Sequence, residues 1–316
     1  MKTKAFIFPG QGVQKRGMAS DIFSSYDVAT DVAGAIGRSV DIDILDLINN
    51  GTDEQLRESR NAQLAIFTVS MAIWHVIQAN KSVDFFDNSY YAGHSLGEYS
   101  ALCAAGYISL DDCAKLIYER GGLMNDICKS GDYGMYAVIG SNADCVGEII
   151  AKYDGQNGGH LCRIANDNSP NQLVISGHSD LLELVVADIK QAGAKAIKLN
   201  TAGPFHTTLM SGAAEKFGEY VRNFSFNDEP IKSNRIIVSN LTGSELKNKD
   251  DLYEILPSHI QGAVLWRDTI NGFIGKSMDL VEIGPGNVQT KMVSRDFGYD
   301  NIINIDSVEA IENFVK

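Results

Sequence analysis

The sequence predicts a mixed α/β protein in which a small α/β unit is inserted into a larger domain formed by both ends of the chain. A G-x-S-x-G pentapeptide at 93–97 lies between a short apolar run and a helix-forming run, as in a strand-to-helix turn. Residues 134–199 alternate strand-like and helix-like patterns. Strand-like runs before and after this segment predict a second sheet, built from the two ends of the chain.

The larger domain contains six segments with the pattern of regular elements. These are strands at 4–8, 236–239 and 280–283, a helix at 63–78, a helix at 98–105 that carries Cys103, and an amphipathic helix at 109–124. The helix at 63–78 is apolar on nearly every face, which indicates that it is buried. The first strand ends in a tight loop, Pro9-Gly10-Gln11-Gly12, and the last in a sharp turn, Gly284-Pro285-Gly286.

The inserted unit has the order β-α-β-β-α-β, the ferredoxin-like arrangement. Its predicted elements are a strand at 134–140, a helix at 144–152, strands at 162–165 and 172–176, a helix at 181–191 and a strand at 195–199. We expect a turn at Asn168-Ser169-Pro170 between the two middle strands. The bracketing Gly131 and Gly203-Pro204 predict a catalytic domain of residues 1–130 and 204–316, with a subdomain at 131–203.

The bulk composition is that of a globular protein with ample core: 316 residues, of which 44% are hydrophobic and 21% charged. A net charge of −13 argues against nucleic acid or an anionic membrane as the main partner. Five cysteines without metal-ligand spacing predict reduced thiols and no bound metal. No run is long and apolar enough to span a bilayer, and residues 1–8 lack a signal-peptide pattern, so we expect a cytoplasmic protein.

Ser95 is the candidate nucleophile, at the centre of the pentapeptide. A turn this tight leaves no room for side chains beside the serine, so glycine is needed at 93 and 97. The same turn would present the N–H of Leu96 to an oxyanion at the start of the following helix. The pentapeptide is short enough to occur by chance, and its strand–turn–helix setting is what favours a nucleophile.

A serine nucleophile needs a base, and the chain has six histidines. His206 follows Gly203-Pro204-Phe205, where the inserted unit returns to the larger domain, and such junctions commonly form clefts. His259 is the remaining rival. The other four fit less well: His75 on an apolar helix, His94 predicted to point away from Ser95, His160 in a polar Gly-rich loop and His178 in a turn.

Arg120 is a candidate anchor for a negatively charged substrate, because a guanidinium can grip a carboxylate with two hydrogen bonds. Its spacing fits equally well an exposed arginine near the end of a helix, where the helix dipole favours a cation.

Several separated segments together carry a family resemblance. They are Phe8-Pro9-Gly10-Gln11-Gly12, Gly93-His94-Ser95-Leu96-Gly97-Glu98-Tyr99-Ser100, Glu119-Arg120-Gly121, Asn168-Ser169-Pro170, Gly203-Pro204-Phe205-His206, Trp266, and Glu282-Ile283-Gly284-Pro285-Gly286. With these segments in this order, the chain resembles the malonyl-CoA:acyl-carrier-protein transacylases and the free-standing acyltransferases of polyketide synthases. The resemblance implies an α/β-hydrolase-like large domain with an inserted ferredoxin-like subdomain.

The resemblance also implies a role for each matching residue. Ser95 would attack the malonyl thioester and carry the malonyl group as an ester, and His206 would move the protons. The N–H groups of Gln11 and Leu96 would form the oxyanion hole. Arg120 would hold the malonyl carboxylate at the far end of the cleft.

Two further residues bear on orientation and specificity. The resemblance implies that a main-chain carbonyl orients the base, and the matching position is His259, where relatives often have glutamine. If only the carbonyl matters, the histidine is harmless. Phe205, beside the base, leaves little space for an α-methyl branch, so malonyl should be preferred over methylmalonyl, with some leakage.

The implied partners are malonyl-CoA and an acyl carrier protein, in fatty-acid or polyketide synthesis, and the implied state is a monomer. CoA would enter only as part of the substrate, and no motif requires a metal or redox cofactor. Two alternatives stay open on the residues alone. One is a serine hydrolase or acyl-thioesterase, which would gain nothing from a buried Arg120; the other is a catalytically silent docking module.

Overall fold

The computed structural model describes residues 2–153, 161–201 and 203–316, which form a mixed α/β protein with two separate sheets. The strands are β1 Lys4–Phe8, β2 Tyr90–Gly93, β3 Tyr133–Ile139, β4 Cys162–Ser169, β5 Gln172–His178, β6 Lys195–Lys198, β7 Ile236–Ser239, β8 Ser244–Glu245, β9 Asp279–Ile283 and β10 Ile302–Ile305. The helices are α1 Ser20–Ser25, α2 Asp27–Val40, α3 Ile44–Asn50, α4 Asp53–Arg57, α5 Ser59–Asn80, α6 Gly97–Ala105, α7 Leu110–Lys129, α8 Ala143–Ala151, α9 Ser179–Gln191, α10 Ser211–Val221, α11 Glu229–Lys232, α12 Leu252–Gln261, α13 Trp266–Gly275, α14 Val288–Phe297 and α15 Val308–Val315.

The larger sheet has six strands in the order β10-β9-β1-β2-β7-β8. Its first five strands are parallel, and only β8 at the edge pairs antiparallel with β7. Phe8 at the end of β1 lies opposite Gly93 at the end of β2. The loop after β1 and the pentapeptide after β2 therefore leave the sheet side by side, at the edge where parallel α/β sheets bind ligands.

The smaller sheet is antiparallel, with the strand order β4-β5-β3-β6. Helices α8 and α9 cover one of its faces and share with it a separate apolar core, including Val146 and Leu182. Strand β4 also touches the larger part of the chain, because the N–H of Val264 donates to Ala165 and the N–H of Asp167 donates to Val264, each over 2.9 Å. These main-chain bonds fix the smaller sheet against the segment between α12 and α13.

Helix α5 packs in the core of the larger unit. It is long and apolar enough to cross a membrane, but 83% of its most apolar 18-residue stretch is buried inside the protein. Its Trp74 meets Phe6 of β1 and Phe86 edge-on, with ring centroids 5.1 and 4.9 Å apart. An all-round apolar helix needs partners on every side, and here β1 and neighbouring helices supply them.

The predicted mixed α/β class and the predicted elements are confirmed, with three boundary errors. The turn between β4 and β5 is at Pro170 and Asn171, because Asn168 and Ser169 still belong to β4, with Ser169 paired to Gln172. Helix α5 begins at Ser59, and α7 continues to Lys129, since its apolar contacts extend beyond the predicted end. Helices α1–α4 and α10–α15 and strands β8 and β10 were not predicted.

Candidate active site

The pentapeptide forms a sharp elbow between β2 and α6. Ser95 has a φ of 50°, a left-handed backbone that is costly for a residue with a side chain. A Cβ at Gly93 would collide with Gly97, and one at Gly97 would collide with the carbonyl of Phe8. The two glycines are thus required by close main-chain contacts, as the sequence predicts, and the strained turn projects the Ser95 side chain into a cleft.

Ser95 and His206 are hydrogen-bonded, with Oγ 2.8 Å from Nε2. The other ring nitrogen, Nδ1, lies 2.9 Å from the carbonyl oxygen of His259 and 3.0 Å from that of Gly262. Carbonyl oxygens only accept, so Nδ1 carries the proton and the lone pair of Nε2 faces the serine. The imidazole therefore has the tautomer and orientation that a general base requires.

The electrostatic environment keeps His206 neutral. Burial, and after it the nearby Arg120 and His94, together lower the pKa of His206 to about 3, although its bonds to the two carbonyls oppose the shift. A neutral imidazole can accept the serine proton at any ordinary pH. The positive charge of Arg120 also makes protonated His206 a stronger acid, which can readily return the proton.

Arg120 is fully buried, so it is not the exposed helix-end arginine that its spacing also fitted. Its Nη1 donates to Oε1 of Gln63 over 2.6 Å, and its Nη2 donates to Ser95 Oγ over 3.2 Å. The ring of Tyr99 lies 5.3 Å from the guanidinium carbon. Helix α7 thus places Arg120 in the same cavity as Ser95 and His206, with its guanidinium directly beside the nucleophile.

The charge of Arg120 has no direct counter-ion among the side chains that the structure describes; Glu98 acts on it only at longer range. Burial lowers the pKa of Arg120, but a guanidinium stays protonated in proteins. An uncompensated buried cation is costly. The cleft is therefore suited to a ligand that brings its own negative charge.

Two main-chain donors are available for an oxyanion. Gln11 and Leu96 line the same cavity of about 230 Å³ as Ser95 and His206. Within residues 2–153, 161–201 and 203–316, neither of their N–H groups donates to a protein acceptor. Such free donors beside a nucleophile are what an oxyanion hole needs.

Phe205 precedes His206 in the chain, and the ring of His259 packs against that of His206. Phe205 is almost fully buried and lines the cavity. The His259 ring is buried outside the cavity, with its centroid 5.3 Å from that of His206. Only the main-chain carbonyl of His259 contacts the Ser95–His206 pair. The His259 ring is therefore not in position to act as the base in place of His206.

The other histidines are engaged elsewhere. His94 bonds through Nε2 to Oδ1 of Asn168 over 2.8 Å and stacks edge-on against Trp266. His75 bonds to the carbonyl of Met71, and His178 packs against Tyr133. The prediction for His160 falls outside the described residues. In the part of the chain that the structure describes, no group of three His, Cys, Asp or Glu side chains is arranged to hold a metal ion.

Three polar residues that support this site were not predicted from the sequence, namely Gln63, Glu98 and Asn240. Gln63 holds Arg120 from the buried helix α5, where an amide among apolar residues was the available signal. Glu98 is fully buried, accepts the N–H of Asn240 over 3.0 Å and lies 3.6 Å from Nδ1 of His259. Burial raises the pKa of Glu98 to about 7 and lowers that of His259, so burial disfavours the ion pair.

Known proteins match the chain over almost its whole length. A family model described as an acyl transferase domain matches residues 5–284. The malonyl CoA-acyl carrier protein transacylase of Staphylococcus aureus (strain MW2) is 33% identical over 314 residues, with 98% of each chain covered. The protein of the same description from Bacillus subtilis (strain 168) is also 33% identical, covering 99% of this chain and 96% of its own.

Solved structures agree with these relatives. A malonyl CoA-acyl carrier protein transacylase from Clostridium perfringens superposes with a TM-score of 0.89 at 32% identity, covering 99% of this chain and 96% of that one. A malonyl-transacylase solved in complex with its type II polyketide acyl-carrier protein superposes with a TM-score of 0.90 at 28% identity, with 99% of both chains covered.

Proposed function

The chain belongs to the acyl transferase domain family, and we propose that it moves malonyl groups from CoA to an acyl carrier protein. The group would travel as an ester on Ser95, from the thiol of CoA to the phosphopantetheine thiol of the carrier. The names of the similar proteins support this activity, including one solved together with its carrier.

One observation carries the proposal: a buried guanidinium touches the nucleophile and has no direct counter-ion among the described residues. A malonyl thioester has a carboxylate one methylene away from its reactive carbonyl. The carboxylate can therefore bind Arg120 while the carbonyl meets Ser95. A neutral acyl group would leave the cation unpaired in the closed cleft, which disfavours it.

In the first half-reaction, Ser95 Oγ attacks the thioester carbonyl and its proton passes to Nε2 of His206. The carbonyl oxygen becomes an oxyanion, which the N–H groups of Gln11 and Leu96 stabilise by roughly 3–4 kcal/mol per donor. When the tetrahedral intermediate collapses, the C–S bond breaks and CoA leaves with the proton from His206. Malonyl remains as an ester on Ser95.

In the second half-reaction, the carrier thiol gives its proton to Nε2 of His206 and attacks the ester carbonyl. The C–O bond then breaks, and Ser95 recovers its proton from the imidazole. The carbonyl of His259 orients the ring in both halves through Nδ1. The proposed steps use no metal or redox cofactor, and CoA takes part only as the substrate thioester.

The proposal extends to architecture and location. We infer an α/β-hydrolase-like domain of residues 1–130 and 204–316 with a ferredoxin-like subdomain at 131–203; the separate parallel and antiparallel sheets support this division.

Phe205 in the cavity wall supports a preference for malonyl over methylmalonyl. The burial of α5 supports a water-soluble protein, for which we infer a cytoplasmic location.

Intact-mass measurement after incubation with malonyl-CoA tests the proposal. We expect the parent protein to gain one malonyl group and to lose it when a carrier protein bearing phosphopantetheine is added. Ser95→Ala should gain none, and Ser24→Ala, at an exposed serine of α1, should behave like the parent. A parent without the adduct, an adduct that persists in Ser95→Ala, or release to water instead of the carrier would overturn it. The last outcome would favour the hydrolase.

A further inference from the structure

One buried amide bonds to the main chain of the nucleophile elbow at two points. Asn240 follows β7 directly and is fully buried. Its Oδ1 accepts the N–H of Ser95 over 2.6 Å, and its Nδ2 donates to the carbonyl of Gly93 over 2.6 Å. The amide thus clamps the main chain two residues before the nucleophile and at the nucleophile itself.

The clamp acts where the backbone is strained. Ser95 has a left-handed φ of 50°, which persists only when surrounding contacts hold it. Asn240 supplies the acceptor for the Ser95 N–H at this turn. Losing that acceptor would leave a donor without a partner and permit the turn to relax.

Asn240 is itself held from both sides. Its N–H donates to Oε2 of the buried Glu98 over 3.0 Å, and its carbonyl accepts the N–H of Leu265 over 2.8 Å. Glu98 belongs to the helix that follows the elbow, so the amide is tied to the element that it positions. Asn240 does not line the cavity and has no route to the substrate.

We propose that Asn240 is a positioning residue for the Ser95 nucleophile, which it serves by clamping the main chain of the elbow. The clamp keeps Oγ at 2.8 Å from Nε2 of His206 and keeps the N–H of Leu96 turned toward the cleft. Because Asn240 never meets the substrate, it should affect the rate of attack and leave substrate affinity unchanged. This inference rests on the proposed acylation of Ser95.

The test compares Asn240→Ala and Asn240→Asp with the parent. Alanine removes both bonds, whereas aspartate keeps the size and one acceptor but replaces the donor to Gly93. In a stopped-flow burst with malonyl-CoA, we expect the acylation rate constant to fall about 10- to 100-fold in both variants. The malonyl-CoA concentration at half-maximal rate should stay within about twofold of the parent value. Asn248→Ala, at an exposed asparagine of a nearby loop, should match the parent.

The amplitude of the burst separates positioning from folding. A merely structural role would lower the amplitude, which counts folded molecules, and leave the rate constant of those molecules at the parental value; that result would overturn the proposal. If Asn240→Ala does not fold, the isosteric Asn240→Asp decides by the same criterion.

Labelling by a fluorophosphonate separates this inference from the proposed function, because the reagent reports an activated serine whatever the natural acyl donor is. Slower labelling of the variants would support the clamp even if the parent did not accept malonyl-CoA. Parental rates of labelling in both variants would contradict it.

Discussion

The guanidinium of Arg120 donates a hydrogen bond to the hydroxyl oxygen of Ser95 over 3.2 Å. The proposed anchor for the substrate is thus an immediate neighbour of the nucleophile. An acyl group held between them must be short and must carry its charge close to the carbonyl. Arg120 also lowers the pKa of His206, so one cation acts on substrate choice and on the base.

Replacing Arg120 by glutamine should change the acyl preference. We expect malonyl transfer by Arg120→Gln to fall by about 10²- to 10³-fold, the range for breaking a buried charge pair. Acetyl transfer should stay the same or rise, because acetyl gains nothing from the cation. Steady-state kcat/KM with malonyl-CoA and acetyl-CoA measures both. Lys115→Gln, which removes an exposed charge from the same helix, is the control. An equal loss of kcat/KM with both donors would contradict the proposed role of Arg120.

The same variant should shift the pH profile. Burial is the largest cause of the low pKa of His206, and the positive charge of Arg120 is the next. Removing that charge raises the pKa of His206, so the base becomes protonated at higher pH. The acidic limb of the profile should therefore move to higher pH in Arg120→Gln.

Acetyl-CoA is the suitable donor for this measurement, because its binding does not depend on the carboxylate anchor. The acylation rate constant of Ser95 would be followed from about pH 3, where the pKa of His206 in the parent lies, to about pH 8 in the parent and in Arg120→Gln. Superimposable acidic limbs would mean that the guanidinium does not control the base.

Local patterns predict much of the fold because they reflect local requirements. The two glycines of the elbow are needed by contacts within a few residues and with the adjacent strand. The β-α-β-β-α-β order likewise follows from periodicity and turn residues. Ser95 and His206 could be paired in advance only because one lies in a motif and the other at a predicted domain junction.

Burial of polar groups could not be predicted in the same way, because it depends on contacts between distant segments. Arg120 could have been exposed on its helix, and only the packing of α7 against α5 decides otherwise. Glu98 resembles an ordinary acid in the first turn of a helix, yet it lies beneath Asn240, 142 residues away. Such positions carry no local signature.

Replacing His259 by glutamine should be nearly neutral. The contact with Nδ1 of His206 is made by the main-chain carbonyl, and neither ring nitrogen of His259 has a hydrogen-bond partner among the described residues. We expect kcat and KM of His259→Gln to stay within about threefold of the parent values. His206→Ala, which removes the base itself, should lose nearly all activity. A large loss in His259→Gln would show that the imidazole of His259 contributes to activity in addition to its main-chain carbonyl.

Glu98 should make stability depend on pH in a direction unusual for a carboxyl group. Burial raises its pKa from 4.5 to about 7 in the folded protein. The folded state therefore binds more protons than the unfolded state between these values, so the free energy of unfolding falls as pH rises through this window. Glu98→Gln keeps an oxygen for the N–H of Asn240 but cannot ionise. We expect the variant to match the parent near pH 4 and to exceed its stability by a few kcal/mol above about pH 8, since each pH unit between the two pKa values contributes about 1.4 kcal/mol.

Urea unfolding of both proteins across this range measures the difference. The buried His206 and His259 have lowered pKa values and change stability in the opposite direction. Both are present in parent and variant, so the contribution of His206 largely cancels when the two curves are subtracted, whereas His259, 3.6 Å from Glu98, remains part of the difference. Glu254→Gln, at an exposed acid of α12, is the matched control and should give a flat difference. A difference that shrinks or reverses toward high pH would mean that Glu98 is ionised in the folded protein, with a neighbouring cation compensating its charge.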